Sequence, residues 1–282
     1  MTKPINAISD IQVIVDLGGE RRSATIAAEI ARQFDAHLTG LTLSFEPIIP
    51  VYTMATPIPT DLIVAAHDQA VEDARLASAA FERIAAAAGV RFASLTTASI
   101  GGDGLEGVAR TLALTDLVVV GQQNPDSVEP MREVMIESIL FQAGAPALIV
   151  PYAGVTEFKP GHALVAWDGG TAAAHAVRAA LPLLALAKDV TLVIIGEQKK
   201  SKDLAGVDIA TYLSRHGLSV EVRSIDNSTG DIGQTILSFA SDAEADWLVM
   251  GAYGHSRLRE FLLGGATRGI LSSMTVPVLM AH

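Results

Sequence analysis

The chain contains no cysteine. Disulfide frameworks, thiolate zinc sites and dithiol redox motifs are therefore excluded. Aromatic residues are scarce, at 5%, so Ala, Val, Ile and Leu must build the core. Charged residues make up only 18% against 50% apolar, ample material for a buried interior. No 18-residue uncharged apolar span occurs, and the opening MTKPINAISD holds no apolar signal core. A soluble, cytoplasmic protein is expected. Basic charge is short too: 20 Lys and Arg stand against 31 Asp and Glu, a net −11. Such a chain has no general attraction for nucleic acid or an anionic membrane, and neither is expected as a partner. A local basic spot could still hold a small phosphate.

What the sequence does have is repetition. IQVIVDLGG (11–19) resembles ALVAWDGG (163–170), TDLVVVG (115–121) resembles ADWLVMG (245–251), and APALIVP (145–151) resembles VPVLMAH (276–282). The order is the same in each half, and Asp16 and Asp168 stand 152 positions apart. At about 100–200 residues per domain, the 282 residues divide into a domain over 1–153 and another over 161–282. The joint is PYAGVTEFKPG (151–161). The spacing Asp16 to Gly121 exceeds Asp168 to Gly251 by 22 residues. The excess fits around FEPIIPVYTMATPIPTDL (45–62), which reads as a Pro-rich loop.

The second half alternates strands at 162–167, 190–195, 219–225, 246–250 and 276–281 with helices near 171–187, 203–216, 230–243 and up to 273. Its strands are continuous apolar runs, the pattern of strands covered by helices on both faces. Repeated strand–helix–strand units predict an α/β fold, two tandem doubly wound five-stranded parallel sheets. In such sheets ligands bind beyond the carboxyl ends of the strands, where strand order reverses. Asp168 ends the first strand of its unit and Gly251 the fourth, so both fall at one crevice.

The segment DWLVMGAYGHSRLREFLLGGATRGI (246–270) is rich in glycine. Glycine permits close approach of backbone to ligand, and a helix starting near Gly264 would aim free N–H groups at an anion. Arg257, Arg259 and His255 could add positive charge, and Ser256 and Thr267 hydroxyls. The plain alternative is that Gly264-Gly265 only separates two helices, that His255 and the arginines face solvent, and that Asp168 closes a turn. For Asp16 the turn or cap reading is preferred.

Gly251, two residues, Gly254, nine residues and Gly264 together resemble the G-x2-G-x9-G-[S/T] nucleotide loop of the universal stress protein family. With Asp16 and Asp168 at the strand ends and the final Pro-Val/Ala-Leu strands, the resemblance covers the whole chain in tandem form. It implies the adenine nucleotide alpha hydrolase-like fold and ATP or another adenine nucleotide, with or without Mg2+, in the second crevice. The implied contacts are Trp167, Asp168, Gly251, Gly254, His255, Arg257, Gly264, Gly265, Ala266 and Thr267. One position departs: the family's Ser/Thr after the third glycine is Gly265 here, with Thr267 near a second family hydroxyl. The first half departs further. GQQNPDSVEPMREVM follows Gly121 with Asn124 at the second glycine, and Glu129 and Glu133 would repel phosphate. No nucleotide is expected there.

The resemblance also implies a stress-response sensor or regulator that works by ligand-dependent conformation rather than turnover. No positioned general base is legible, and slow ATP hydrolysis stays open. A nucleotide-independent scaffold or small-ligand module is the alternative, and an adenylate-forming transferase ranks last. Strands 147–150 and 276–281 are expected to pair, making an intramolecular pseudo-dimer, with a homodimer open. GGDGLEG (101–107) contains a formal G-x-G-x-x-G but follows a third strand and has no counterpart in the second half, so a dinucleotide site is not expected. Asp103 and Asp231 read instead as helix N-caps or first-turn acids. There is no P-loop, GHSRL (254–258) lacks a nucleophile elbow's last glycine, and the seven histidines show no paired helical spacing, so no metal site is expected.

Overall fold

The computed structural model describes residues 8–44, 59–97, 104–125, 131–195, 203–225, 230–252 and 265–282. In the first half, β1 (Asp10–Ile14), α1 (Arg22–Phe34), β2 (His37–Leu43), α2 (Thr60–Ala88) and β3 (Arg91–Thr97) precede α3 (Gly104–Leu112), β4 (Leu117–Gly121), α4 (Arg132–Ser138) and β5 (Ala147–Val150). A π-helical turn over Ile139–Ala143 extends α4. The second half repeats the series: β6 (His162–Ala166), α5 (Thr171–Leu184), β7 (Asp189–Ile195), α6 (Asp203–Arg215), β8 (Val220–Ile225), α7 (Ile232–Asp242), β9 (Trp247–Gly251), α8 (Gly265–Ser273) and β10 (Val278–Ala281).

All ten strands form one sheet, in the order β3-β2-β1-β4-β5-β10-β9-β6-β7-β8. Every pairing is parallel except β5 with β10, where Leu148 lies opposite Leu279 and the two halves meet. This is the expected pairing of the two last strands. Strand order reverses between β1 and β4 and again between β6 and β9, which fixes a crevice in each half.

The central strands form because β-branched and aliphatic runs are covered on both faces, whereas the edge strands β3 and β8 are largely exposed. All five residues of β4 are buried, as are the first four of β9, and Trp247 is fully enclosed. One face carries the core of α1, α2, α5 and α6, including Ile26, Phe81, Val177 and Leu213. The other carries that of α3, α4, α7 and α8, including Leu112, Met135, Ile236 and Ile270. The helices are amphipathic at the helical period: α1 buries Ile26, Ala27, Ile30 and Ala31.

The repeated Asp ahead of β4 and β9 has a structural use that its motif did not reveal. Asp116 Oδ2 accepts from Ser9 N at 2.8 Å and Asp10 N at 3.0 Å, and Asp246 Oδ2 accepts from His162 N at 2.7 Å. Each thus ties the start of its unit's first strand. Asp231 caps α7, accepting from Gln234 N at 3.1 Å, as expected. Asp103 lies outside the described residues.

One expectation is corrected. Much of the first half's extra length is helix, not loop: α2 has 29 residues against 13 in α6, and Thr60 to Leu62 already belong to it. Residues 45–58 of the expected loop lie outside the described residues. The joint between the halves is docked. Phe158 N donates to Glu29 Oε2 at 2.9 Å, its ring meets Trp247 edge-on at 5.6 Å, and Pro160 O accepts from Trp247 Nε1 at 3.4 Å.

Candidate functional site

The two crevices have the same frame and opposite contents. In the second half, β6 ends at Ala166, and Trp167 and Asp168 lead into the turn Gly169-Gly170 before α5. Gly169 takes φ +78, a value that favours glycine. Asp168 is exposed, and its Oδ1 accepts from Gly170 N at 2.7 Å. Asp168 thus closes a turn, the plain alternative for it, while its carboxylate still faces solvent at the crevice.

Gly251 ends β9 beside it. A Cβ there would lie 2.7 Å from the backbone carbon of Ala172 and nearer still to Ala173 N. The glycine is therefore required by the approach of α5 to β9, apart from any ligand. Gly265 begins α8 with open space where a side chain would stand. Ala266 is half-buried, and Thr267 is 3% exposed within α8. Gly254, His255, Arg257 and Gly264 lie outside the described residues, as do Ser256 and Arg259.

Trp167 points under α5. With Ala174, Val177, Arg178, Ile209 and Tyr212 it lines an apolar cleft of about 270 Å³. Its indole Nε1 is shielded from solvent and has no acceptor among the described residues.

In the first half the equivalent aspartate is sealed. Asp16 Oδ1 meets Arg132 Nη2 at 3.1 Å, and Oδ2 accepts from Ser23 Oγ at 2.5 Å. The Arg132 side chain is only 4% exposed and that of Asp16 18%. Gly121 is needed because a Cβ there would fall 2.6 Å from Asp16 Oδ1. The reading of Asp16 as a turn or cap residue is thus replaced by an ion pair that joins the end of β1 to α4. The segment that supplies Arg132 looked acidic and apolar in the sequence. Glu133 is exposed on α4, and Glu129 lies outside the described residues.

A cleft of about 520 Å³ opens beside this pair, bounded by Gly18 to Ser23, Gln122 to Asn124 and Tyr152 among others. Three arginines line it, Arg21, Arg22 and Arg132, against two carboxylates, Asp16 and Glu20. The expectation of a phosphate-repelling first half missed these cations. The legible signal was RR at 21–22, one residue after the glycine pair that follows the first strand.

The fold and its crevices define a class: open, doubly wound α/β units of the adenine nucleotide alpha hydrolase-like kind, present twice and fused through their last strands. Residues 161–282 match the universal stress protein family model. A curated universal stress protein of Synechocystis is 30% identical over 170 residues, 58% of this chain and 57% of that relative. The match thus spans little more than half the relative's length. A crystal structure of a universal stress protein from Archaeoglobus fulgidus superposes with a TM-score of 0.72 at 15% identity, covering 97% of this chain and 96% of that one. A Pseudomonas aeruginosa structure gives 0.60 at 18%, covering 98% and 94%. These likenesses show the fold over both halves.

Among the described residues, no group of three or more metal-ligating side chains occurs and no helix is long and apolar enough to cross a membrane.

Proposed function

We propose that residues 161–282 form a domain that binds ATP or a related adenine nucleotide in the crevice between β6 and β9. Residues 1–153 form a partner domain that does not. The observation that carries this reading is the contrast between the two aspartates. Asp16 is neutralised and covered by Arg132 and Ser23, whereas Asp168 keeps a solvent-facing carboxylate. Where α1 offers Ser23, the second residue of α5 is Ala172, which has no hydroxyl to seal it. Asp168 and Trp167 would hold the adenosine end. Gly251, Gly254, His255, Arg257 and the start of α8, Gly264 to Thr267, would form the phosphate side, with Mg2+ as the nucleotide's counterion. The nucleotide supplies charge and contacts that differ between conformations, and the regulator's output is set by that difference.

Calorimetric titration of nucleotide-stripped protein with ATP and Mg2+ tests the reading. One site per chain, lost in Gly254→Val, is the expected result. No heat at millimolar ATP, and no displacement of a fluorescent adenine analogue, refutes it. A second reading, a nucleotide-independent module for small apolar ligands, is favoured by the cleft under Trp167 with its unpaired indole N–H. Quenching or a blue shift of Trp167 fluorescence by an apolar ketone, without ATP competition, would support it.

A further inference from the structure

The first-half cleft lies at the β1/β4 crevice, the counterpart of the crevice between β6 and β9, and is lined by three arginines. Its charges do not cancel. Arg132 is taken by Asp16, and Arg22 Nη2 meets Glu20 Oε2 at 2.5 Å. Arg21 has no carboxylate partner among the described residues: its guanidinium donates only to Leu17 O at 3.3 Å and Gly19 O at 3.4 Å. Arg22 also donates to Tyr152 O, which fixes it across the cleft from the end of β5. The Nε–H groups of both Arg21 and Arg22 are shielded from solvent with no acceptor among the described residues. Two charge-bearing side chains of one cleft thus keep a donor without an acceptor among the described residues.

The helix adds to this. The 13-residue α1 begins at Arg22 with no side-chain cap and no acidic residue in its first turn. Its dipole and free N–H groups favour an anion at the same place. Across the floor the requirement is reversed. Gln123 Oε1 is shielded and has no donor among the described residues, so a ligand whose body offers a hydroxyl is favoured. The volume of about 520 Å³ exceeds what a bare ion needs and falls in the usual range for small organic ligands. The second half has nothing equivalent: its first-strand turn is Gly169-Gly170-Thr171, without an arginine.

We propose that this cleft binds a small hydroxylated phosphate monoester. Its phosphate is held by Arg21 and Arg22 at the N-terminus of α1, and a hydroxyl is given to Gln123. Glu20, largely exposed at 69%, swings off Arg22 when the phosphate arrives, so it acts as a built-in competitor. The inference does not depend on nucleotide binding in the second half.

The test uses the full chain and glycerol 3-phosphate, followed by calorimetry and by the arginine Nε–H resonances in nuclear magnetic resonance spectra. Inorganic phosphate, succinate and AMP are the comparison arms. Glycerol 3-phosphate is expected to bind best and to shift two Nε–H signals, assigned to Arg21 and Arg22 by their absence in Arg21→Gln and Arg22→Gln. Arg22→Gln should weaken binding by about tenfold or more, as loss of a charge-assisted bond implies, while Glu20→Gln should tighten it.

Gly18→Leu gives a control that leaves the charges alone. A Cβ at Gly18 meets nothing within 4 Å, so this variant should fold and block the cleft. No binding of glycerol 3-phosphate at about 10 mM, in a range where weak sites still register, overturns the proposal. So does binding that survives both Arg22→Gln and Gly18→Leu, or a preference for succinate or AMP.

Discussion

Replacing Arg132 by methionine should be among the most damaging single changes to the first half. The guanidinium is 4% exposed and lies 3.1 Å from Asp16 Oδ1, itself on a side chain 18% exposed. Methionine fills much of the same volume but removes the positive charge, leaving a carboxylate with the Ser23 hydroxyl alone. Removing one partner of a buried pair costs about 3–5 kcal/mol. The residual exposure of Asp16 and its surviving hydroxyl bond put the expected loss near the lower end, about 3 kcal/mol. Asp168→Asn is the internal standard. It alters one exposed turn bond and should cost about 1 kcal/mol or less. Adding Asp16→Asn to Arg132→Met removes the stranded charge, so the double variant should be more stable than Arg132→Met alone, with a coupling of about 1–3 kcal/mol.

The assay is urea unfolding of nucleotide-free protein followed by far-ultraviolet circular dichroism, because both tryptophans, Trp167 and Trp247, lie in the second half. The midpoint should fall at unchanged slope. If Arg132→Met costs no more than Asp168→Asn, or if the double variant is the less stable of the two, the account of a neutralised and covered Asp16 is wrong.

Gly251→Ala should destabilise the ligand-free protein by about 1–3 kcal/mol through overpacking, because the added methyl would meet the backbone of Ala172 and Ala173. An unchanged melting temperature would return this glycine to a purely ligand-facing role. Gly265→Ser should leave stability within about 0.5 kcal/mol, the usual range for surface changes, since nothing stands within 4 Å of its Cβ. On the proposed nucleotide reading, the same variant should tighten ATP binding by supplying the Ser/Thr hydroxyl of the loop that this segment resembles, as calorimetry would read. Weaker binding would show that α8 does not face the phosphates.

How far the sequence could be read depended on the range of each interaction. Strands such as Trp247–Gly251 and helices such as Thr171–Leu184 were legible because burial imposes a local period on the chain. The pairing of β5 with β10 was legible because the final strands repeat. Helix α2 was missed in its first turn because Pro57 and Pro59 dominate the local pattern there, while the helix owes its packing to Ala74, Ala77 and Phe81 further on. The Asp16–Arg132 pair was illegible for another reason. Its partners stand 116 positions apart, and only the return of α4 to the end of β1 brings them together. The glycines show the same limit. Gly121 and Gly251 occupy equivalent places, yet one makes room for a carboxylate and the other for a helix backbone.

The two crevices are joined by one buried side chain. Gln122, 5% exposed, follows β4; its backbone N–H donates to Val150 O at 2.7 Å, and its Oε1 accepts from Tyr152 N at 3.1 Å. Its Nε2 reaches across the junction of the halves to Leu271 O at 2.8 Å, within α8. Tyr152 is also where Arg22 anchors, and α8 begins at Gly265, beside the proposed nucleotide loop. The first-half cleft and the phosphate side of the second crevice therefore share a short, covered chain: Arg22, Tyr152, Gln122, Leu271. If a ligand in the first cleft changes the affinity for nucleotide in the second, linkage requires nucleotide to change the first affinity by the same factor. Gln122→Leu breaks the chain without touching either ligand's proposed contacts at Arg21, Arg22 or Asp168. Two titrations, each repeated with the other site saturated, would read the coupling directly. Equal and opposite-order factors that collapse to one in Gln122→Leu would make this glutamine the physical link, whereas factors that survive the substitution would assign the coupling to the β5–β10 seam instead.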